Sequence, residues 1–158
     1  IYEEASPHRV DPAKLEFLRE IAEARTGFAR DYLAYGRMVR PANVLSEVPQ
    51  VTLDWFHYND IHGRREGGRY TTEGVVQVGW CDRGRGLGFL FVNLLAEASQ
   101  TLTVEVEPPR YGLKRGRYTA RTRSRAGEKR LGSFSGRGRF EVVLPPRRVV
   151  LLEVVETG

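Results

Sequence analysis

The chain has 158 residues, 41% of them hydrophobic and 28% charged, with a formal net charge of +5. That is the length of one domain, or of one domain with an appended element, and the composition excludes a collagen, a disulfide scaffold and a disordered tail. No apolar run approaches the roughly 18 residues that span a bilayer, so no membrane role is expected; the single cysteine, Cys81, excludes an internal disulfide and a Cys-based zinc site.

The first predicted element is helical. Asp11 suits an N-cap and Pro12 the first helical position. Leu15, Leu18, Ala22, Ala29 and Leu33 recur at helical spacing, flanked by Phe17, Ile21, Phe28, Tyr32 and Tyr35. Glu16, Arg19, Glu20, Glu23 and Arg30 take the opposite face. Gly36 suits a left-handed C-terminal cap and Pro41 stops any continuation. The pattern predicts one helix over about 12–35, with Gly27 as its weak point. So wide an apolar stripe needs a large partner surface. In the isolated chain it is expected to drive a homodimer or higher oligomer through the helix face.

Strands follow. Segments 51–56, 73–80, 87–94, 101–107, 117–123, 139–144 and 148–155 are short and rich in β-branched and aromatic residues. Pro108-Pro109, Arg115-Gly116, Ala126-Gly127-Glu128 and Gly136-Arg137-Gly138 are among the breakers between them. No helical pattern intervenes. The expected fold is therefore mainly β: an antiparallel β-sandwich of about seven strands preceded by one long α-helix. The expected division is a helical connector over 1–45 and the sandwich over 46–158.

The charge is uneven. Residues 108–148 hold 13 basic and 2 acidic groups. Arg117, Arg121, Arg123 and Arg125 fall on alternate positions, which places them on one face of a strand. The plain reading is a solvated strand face. The sharper one is a polyanion contact through Arg121, Arg123 and Arg125.

Few motifs carry chemistry. Asp54, His57, Asp60, His62 and Cys81 show no standard zinc spacing, so no metal and no cofactor is expected. Asp54, Asp60, Glu66 and Glu73 lie close in sequence but on no pair of rigid elements that fixes a gap across a sugar. Gly84-Arg85-Gly86-Leu87-Gly88 lies in a hairpin, not between a strand and a helix, which argues against a phosphate loop. Cys81 reads as a half-buried thiol. The aromatic cluster is the most useful signal: Trp55, Phe56, Tyr58, Tyr70 and Trp80, mixed with His57, Asn59, Asp60, Arg64 and Arg65. Such rings read first as core or as a seam with the helix. Beside planar hydrogen-bonding groups they also suit sugar rings, with Trp55, His57, Tyr58, Asp60 and Trp80 as contacts, or stacked bases.

The ordered set of segments resembles a family. Tyr35-Gly36-Arg37-Met38-Val39-Arg40-Pro41, closing a long helix, is similar to the last barrel helix of certain (β/α)8 glycoside-hydrolase-like proteins. The run from Val75 to Val106 resembles the first hairpin of their C-terminal β-sandwich, and Tyr111-Gly112-Leu113, Gly116-Arg117-Tyr118 and the run from Leu144 to Val155 continue the pattern. The resemblance covers the chain from about Leu15 onward. It implies a last barrel helix plus an accessory sandwich, with an upstream barrel of the same parent as partner. The family's catalytic carboxylates sit at barrel strand ends, and no position here matches them. Ile1 as the first residue and Met38 as the only methionine agree with a processed product or a piece of a longer protein.

The expected function is thus a non-catalytic accessory β-sandwich of a carbohydrate-active protein. It would pack on a barrel and shape one rim of a sugar cleft. The alternative is a basic β-module binding RNA, DNA or another polyanion through residues 110–148. A self-contained enzyme is a third and less favoured reading.

Overall fold

The computed structural model describes residues 12–59, 64–82 and 86–157, and of residues 55–59 and 64–66 the backbone alone. The predicted capping residue Asp11 lies outside the described residues.

Among the described residues two helices come first, α1 (Pro12–Thr26) and α2 (Arg30–Tyr35). The expected single helix breaks at its weak point. The Gly27 N–H still reaches Glu23 O at 2.8 Å, but the Ala29 N–H reaches back five residues to Ala24 O at 3.0 Å. The ladder loses its pitch there and restarts as α2. Gly36 corrects the expectation of a left-handed cap: its φ of −74° and ψ of 149° are extended. Its role is close approach. A Cβ on Gly36 would stand 2.5 Å from Tyr32 O and 3.1 Å from the Trp80 Cβ.

Eleven strands follow: β1 (Arg37–Val39), β2 (Asn43–Val44), β3 (Gln50–Asn59), β4 (Arg64–Glu73), β5 (Val75–Asp82), β6 (Gly86–Asn93), β7 (Gln100–Val106), β8 (Arg117–Ser124), β9 (Gly127–Ser135), β10 (Gly138–Leu144) and β11 (Val149–Glu156). A 3-10 turn, Pro108–Tyr111, stands between β7 and β8. All pairing is antiparallel. One sheet has the order β1-β5-β6-β11-β8-β9, a second β10-β7-β2, and β3-β4 form a separate ribbon. The chain is mainly β and antiparallel, with helix near its N-terminus, as expected. Strands β1, β2, β4 and β9 are additions to the seven expected.

Alternation along β6 and β11 builds the layers. Leu87, Phe89, Phe91, Val150, Leu152 and Val154 meet Leu102, Val104 and Val106 of β7 and Phe140, Val142 and Leu144 of β10, which makes the core between the two sheets. The other parity, Leu90, Val149 and Leu151, meets Ala24, Ala29 and Tyr32, with Phe28, Leu33, Val78, Trp80 and Val92 around them. The order is helix, sheet, sheet. A central sheet covered on both faces explains why β6 and β11 are apolar at nearly every position rather than at every second one.

The helical layer corrects one expectation about orientation. The charged stripe of α1 faces the sheet, and Leu15, Leu18 and Ile21 of its apolar stripe are exposed, Leu18 by 58%. The reason lies at the sheet's corner. Pairing between β8 and β11 ends at Arg123 and Leu151, which leaves the Val149 N–H beyond the ladder. Glu20, 1% exposed, takes the place of the missing strand: its Oε1 accepts that N–H at 3.2 Å and its Oε2 accepts from Arg148 Nη1 at 3.4 Å. Arg125 pairs with Glu16 and, at 2.9 Å, with Glu23. A carboxylate row fits a corner that offers two guanidiniums and an orphan donor better than hydrocarbon does.

Candidate functional site

The sugar-contact residues divide between two places. β3 and β4 form a ribbon of ten residue pairs, Gln50↔Glu73 to Asn59↔Arg64. On it, Trp55 stands opposite Gly68, His57 opposite Glu66 and Tyr58 opposite Arg65. Asp60 and His62 lie outside the described residues. Leu53 and Tyr70 oppose one another, and both are exposed, Tyr70 by 59%. Thr52 and Thr71 share a hydroxyl hydrogen bond of 3.0 Å on the other parity. The ribbon joins the sandwich at Gly74, whose N–H reaches Pro49 O at 2.6 Å. Trp80 stands elsewhere. It lies toward the far end of β5, opposite Gly88 and Met38, half-buried in the seam under α2. The aromatic cluster thus divides between the ribbon, which carries Trp55, Phe56, Tyr58 and Tyr70, and the seam, which holds Trp80.

Of the candidate carboxylates, Asp54 pairs loosely with Arg69 across the ribbon at 3.8 Å, both side chains largely in water. Glu73 is exposed at the ribbon's base. Cys81 is buried in the core between the sheets. Among the described residues no group of three His, Cys, Asp or Glu side chains is arranged to hold a metal ion. No helix among them is long and apolar enough to cross a membrane.

The arginine row lies on one face of β8, as its period predicts. That face is the helix side of the central sheet, not an open solvent face. The register shift opposite Ala120 and Arg121 leaves Leu131 of β9 as the extra residue, so β8 keeps its alternation and its regular pairing with β11. Arg121 then pairs with Glu153 and, at 2.9 Å, with Glu128; Arg123 reaches Glu153 at 3.6 Å and Glu128 at 3.7 Å; Arg125 reaches α1. The carboxylates come from β11, β9 and α1, which no local pattern in the sequence links to β8.

Glu153 is the centre of this group and is 5% exposed. Besides the arginines it accepts a 2.9 Å hydrogen bond from the Tyr32 hydroxyl. Burial, and then the Glu153 charge, push the Tyr32 phenol far above its ordinary value of 10. A folded-state pKa raised above the unfolded one stabilises fully below pH 10 and is lost as pH climbs above it, because the unfolded chain ionises first. We expect the urea midpoint to fall more steeply between pH 9 and pH 11 in the native chain than in Tyr32→Phe, on the basis of an unfolded tyrosine pKa of about 10. Parallel pH profiles for the two chains would contradict this.

No protein-family profile matches the chain, and no curated protein matches it. Two solved structures are similar, both glycoside hydrolases. An arabinofuranosidase is 15% identical over 67% of this chain and 24% of its own, with a TM-score of 0.40. A Paenibacillus polymyxa family 44 xyloglucanase, solved with xyloglucan, is 11% identical over 63% of this chain and 21% of its own, with a TM-score of 0.32. The chain therefore spans less than a quarter of the length of either. Likeness of this degree bears on neither ligand nor activity.

Proposed function

We propose that the chain is a non-catalytic accessory β-sandwich of a carbohydrate-active, glycoside-hydrolase-like protein. Residues 1–45 would connect it to an upstream (β/α)8 barrel, and the β3–β4 ribbon would reach toward a sugar cleft. The observation that carries the docking part is the inverted helix: α1 gives its carboxylates to the sheet and leaves Leu15, Leu18 and Ile21 uncovered. An apolar stripe on the outside of a layered domain is a surface for another body. In the isolated chain the same stripe would support self-association. The ribbon supplies the ligand part. Two strands without a third, or a layer beneath them, are marginal alone, and this pair carries Trp55, His57 and Tyr58 beyond the sandwich.

The test has two arms. The chain should turn over no member of a panel of aryl glycosides. It should bind a neutral oligosaccharide, and Trp55→Ala with Tyr58→Ala should weaken that binding by about tenfold, in line with the loss of ring contacts. Turnover abolished by Asp54→Asn or Glu73→Gln would overturn the non-catalytic reading. Binding unchanged in the ribbon variant would overturn the ligand part.

A further inference from the structure

At the end of the sandwich away from the ribbon, β1 leaves α2 as Arg37-Met38-Val39 and continues into Arg40-Pro41. The 3-10 turn Pro108–Tyr111 rises beside it. Tyr111 ties the two together. Its hydroxyl donates to Pro41 O at 3.2 Å, and its ring meets Phe89 edge-on with centroids 5.3 Å apart. Arg40 lies over that ring, 5.2 Å from its centroid, and its Nη2 donates to Arg110 O at 3.4 Å. Gly112 ends the turn in the left-handed region, φ 84°, where a side chain would be strained. Two hollows adjoin here, sharing Arg40, Arg110 and Tyr111. One, of about 660 Å³, is bounded by Arg37 and Met38; the other, of about 290 Å³, by Asn43, Glu105 and Glu107.

The cleft is polarised. Among the described residues neither Arg37 nor Arg40 has a carboxylate within 4 Å, and Arg110 pairs with Glu107 at 2.9 Å. By contrast Arg121, Arg123, Arg125, Arg137, Arg139 and Arg148 each meet two carboxylates or share one. Arg40 is steadied by the Tyr111 side chain and one carbonyl, and no carboxylate among the described residues takes its remaining N–H donors. Beside them stand acceptors, Glu107, which Arg110 shares with Arg137 at 3.4 Å, and Glu105. Glu105 takes hydrogen bonds from Asn43 at 3.3 Å and Arg139 at 3.4 Å. Desolvation would raise the Glu105 pKa, but these bonds and the Arg137 charge outweigh it and hold the carboxyl below its ordinary range.

We propose that this cleft binds an acidic saccharide, with a uronate carboxylate on Arg37 and Arg40 and neighbouring hydroxyls on Asn43, Glu105 and Glu107. The guanidinium fork matches a carboxylate in plane and spacing, and ionised carboxylates are strong acceptors for sugar hydroxyls. Stacked bases lack a platform, because Tyr111 is buried under Arg40. The saccharide half of the proposal rests on the carbohydrate reading above; the anion half rests on the cleft alone.

The probe is the trimer of galacturonic acid, titrated calorimetrically into the whole chain at about 150 mM salt, where long-range attraction is screened. Its methyl ester, neutral galactotriose, a hexanucleotide and inorganic phosphate are run beside it. The acid trimer should saturate a single site, with the ester and the neutral trimer about tenfold weaker or worse for loss of a charge-assisted pair. Arg37→Gln and Arg40→Gln should each weaken it by about fivefold or more on the same ground, and Arg130→Gln on β9 should leave it unchanged. Arg37 has no carboxylate partner among the described residues, so its replacement tests the site without breaking an ion pair. The proposal fails if Arg37→Gln and Arg40→Gln bind as the native chain does, or if the ester binds as well as the acid. It fails equally if phosphate matches the trimer, or if the hexanucleotide binds more tightly through the same arginines. Neutral-sugar binding that depends on Trp55, without any binding of the acid trimer, would sink this proposal and leave the ribbon reading intact. Acid binding through Arg37 without ribbon binding would do the reverse.

Discussion

Replacing Gly88 with alanine should destabilise the protein by about 3 kcal/mol, which combines overpacking with the loss of a hydrogen bond to a charged acceptor. The Tyr32 ring lies flat on this glycine. A Cβ there would stand 2.6 Å from the ring's Cγ and 2.7 Å from Cδ1, inside any tolerable contact. The ring is 4% exposed and its hydroxyl is held by Glu153 at 2.9 Å. To clear the Cβ the ring must shift, which strains α2 and the hydrogen bond to Glu153. For a domain of this size the melting temperature should fall by about 10 °C. Gly116→Ala is the matching control, since its Cβ would meet nothing closer than Glu156 Oε1 at 3.4 Å. In a Tyr32→Val background the Gly88→Ala cost should largely vanish, and a double-mutant cycle would measure the coupling. A cost that persists without the ring would show that the glycine answers to something else.

Glu153→Ala should cost about 3 kcal/mol at neutral pH, at the lower end of what breaking a buried ion pair costs. The substitution removes the acceptor for Tyr32 and a shared partner of Arg121 and Arg123. Arg121 keeps Glu128 at 2.9 Å and is about one-third exposed, which limits the penalty. Because Glu153 itself is buried, the loss should change little with added salt, unlike that of a surface pair. Glu153→Gln should fall between, retaining an acceptor without the charge. Replacing Glu153 and Arg121 together by leucine should recover part of the stability, since an apolar pair carries no desolvation cost. Chemical denaturation of the four chains checks the order. Glu153→Ala within about 0.5 kcal/mol of the native chain, the range of an ordinary surface change, would remove the polar knot from the account of stability.

Six of the seven strands legible in the sequence have a buried face; the seventh, β3, shows its β-branched and aromatic residues although Thr52, Leu53 and Asp54 are exposed. β5, β6, β7, β8, β10 and β11 carry β-branched or aromatic residues toward a core, and their patterns show it. β4 and β9 lack that signal. Gly127–Ser135 is exposed or half-exposed throughout and reads as charge and glycine, and Arg64–Glu73 is held by its ladder to β3 alone. The break at Gly27 was also legible, because glycine in a helix interior is a known weakness. The helix orientation was not. Hydropathy ranks Leu18 above Glu20 for burial, but the corner it meets is set by Arg125, Arg148 and the end of β8. The arginine period placed Arg121, Arg123 and Arg125 on one face correctly, and their carboxylate partners lie 5 to 109 residues away. The cleft had half a signal: Arg37 and Arg40 stand in one motif, whereas Arg110 and Tyr111 join them only through the fold.

Gly88 and Glu153 are opposite each other in the β6–β11 ladder. Both strands are apolar on two sides, so a slip of one residue would still bury hydrocarbon on either face. Hydrophobicity alone therefore leaves their alignment weakly specified. The glycine and the carboxylate remove that freedom. If β6 slipped, Leu87 or Phe89 would lie beneath the Tyr32 ring, where there is no room for a side chain. If β11 slipped, Glu153 would turn into the space between the sheets, away from Tyr32, Arg121 and Arg123. The central ladder is thus indexed by its smallest residue and its one buried charge, and the helical layer is the gauge that reads them.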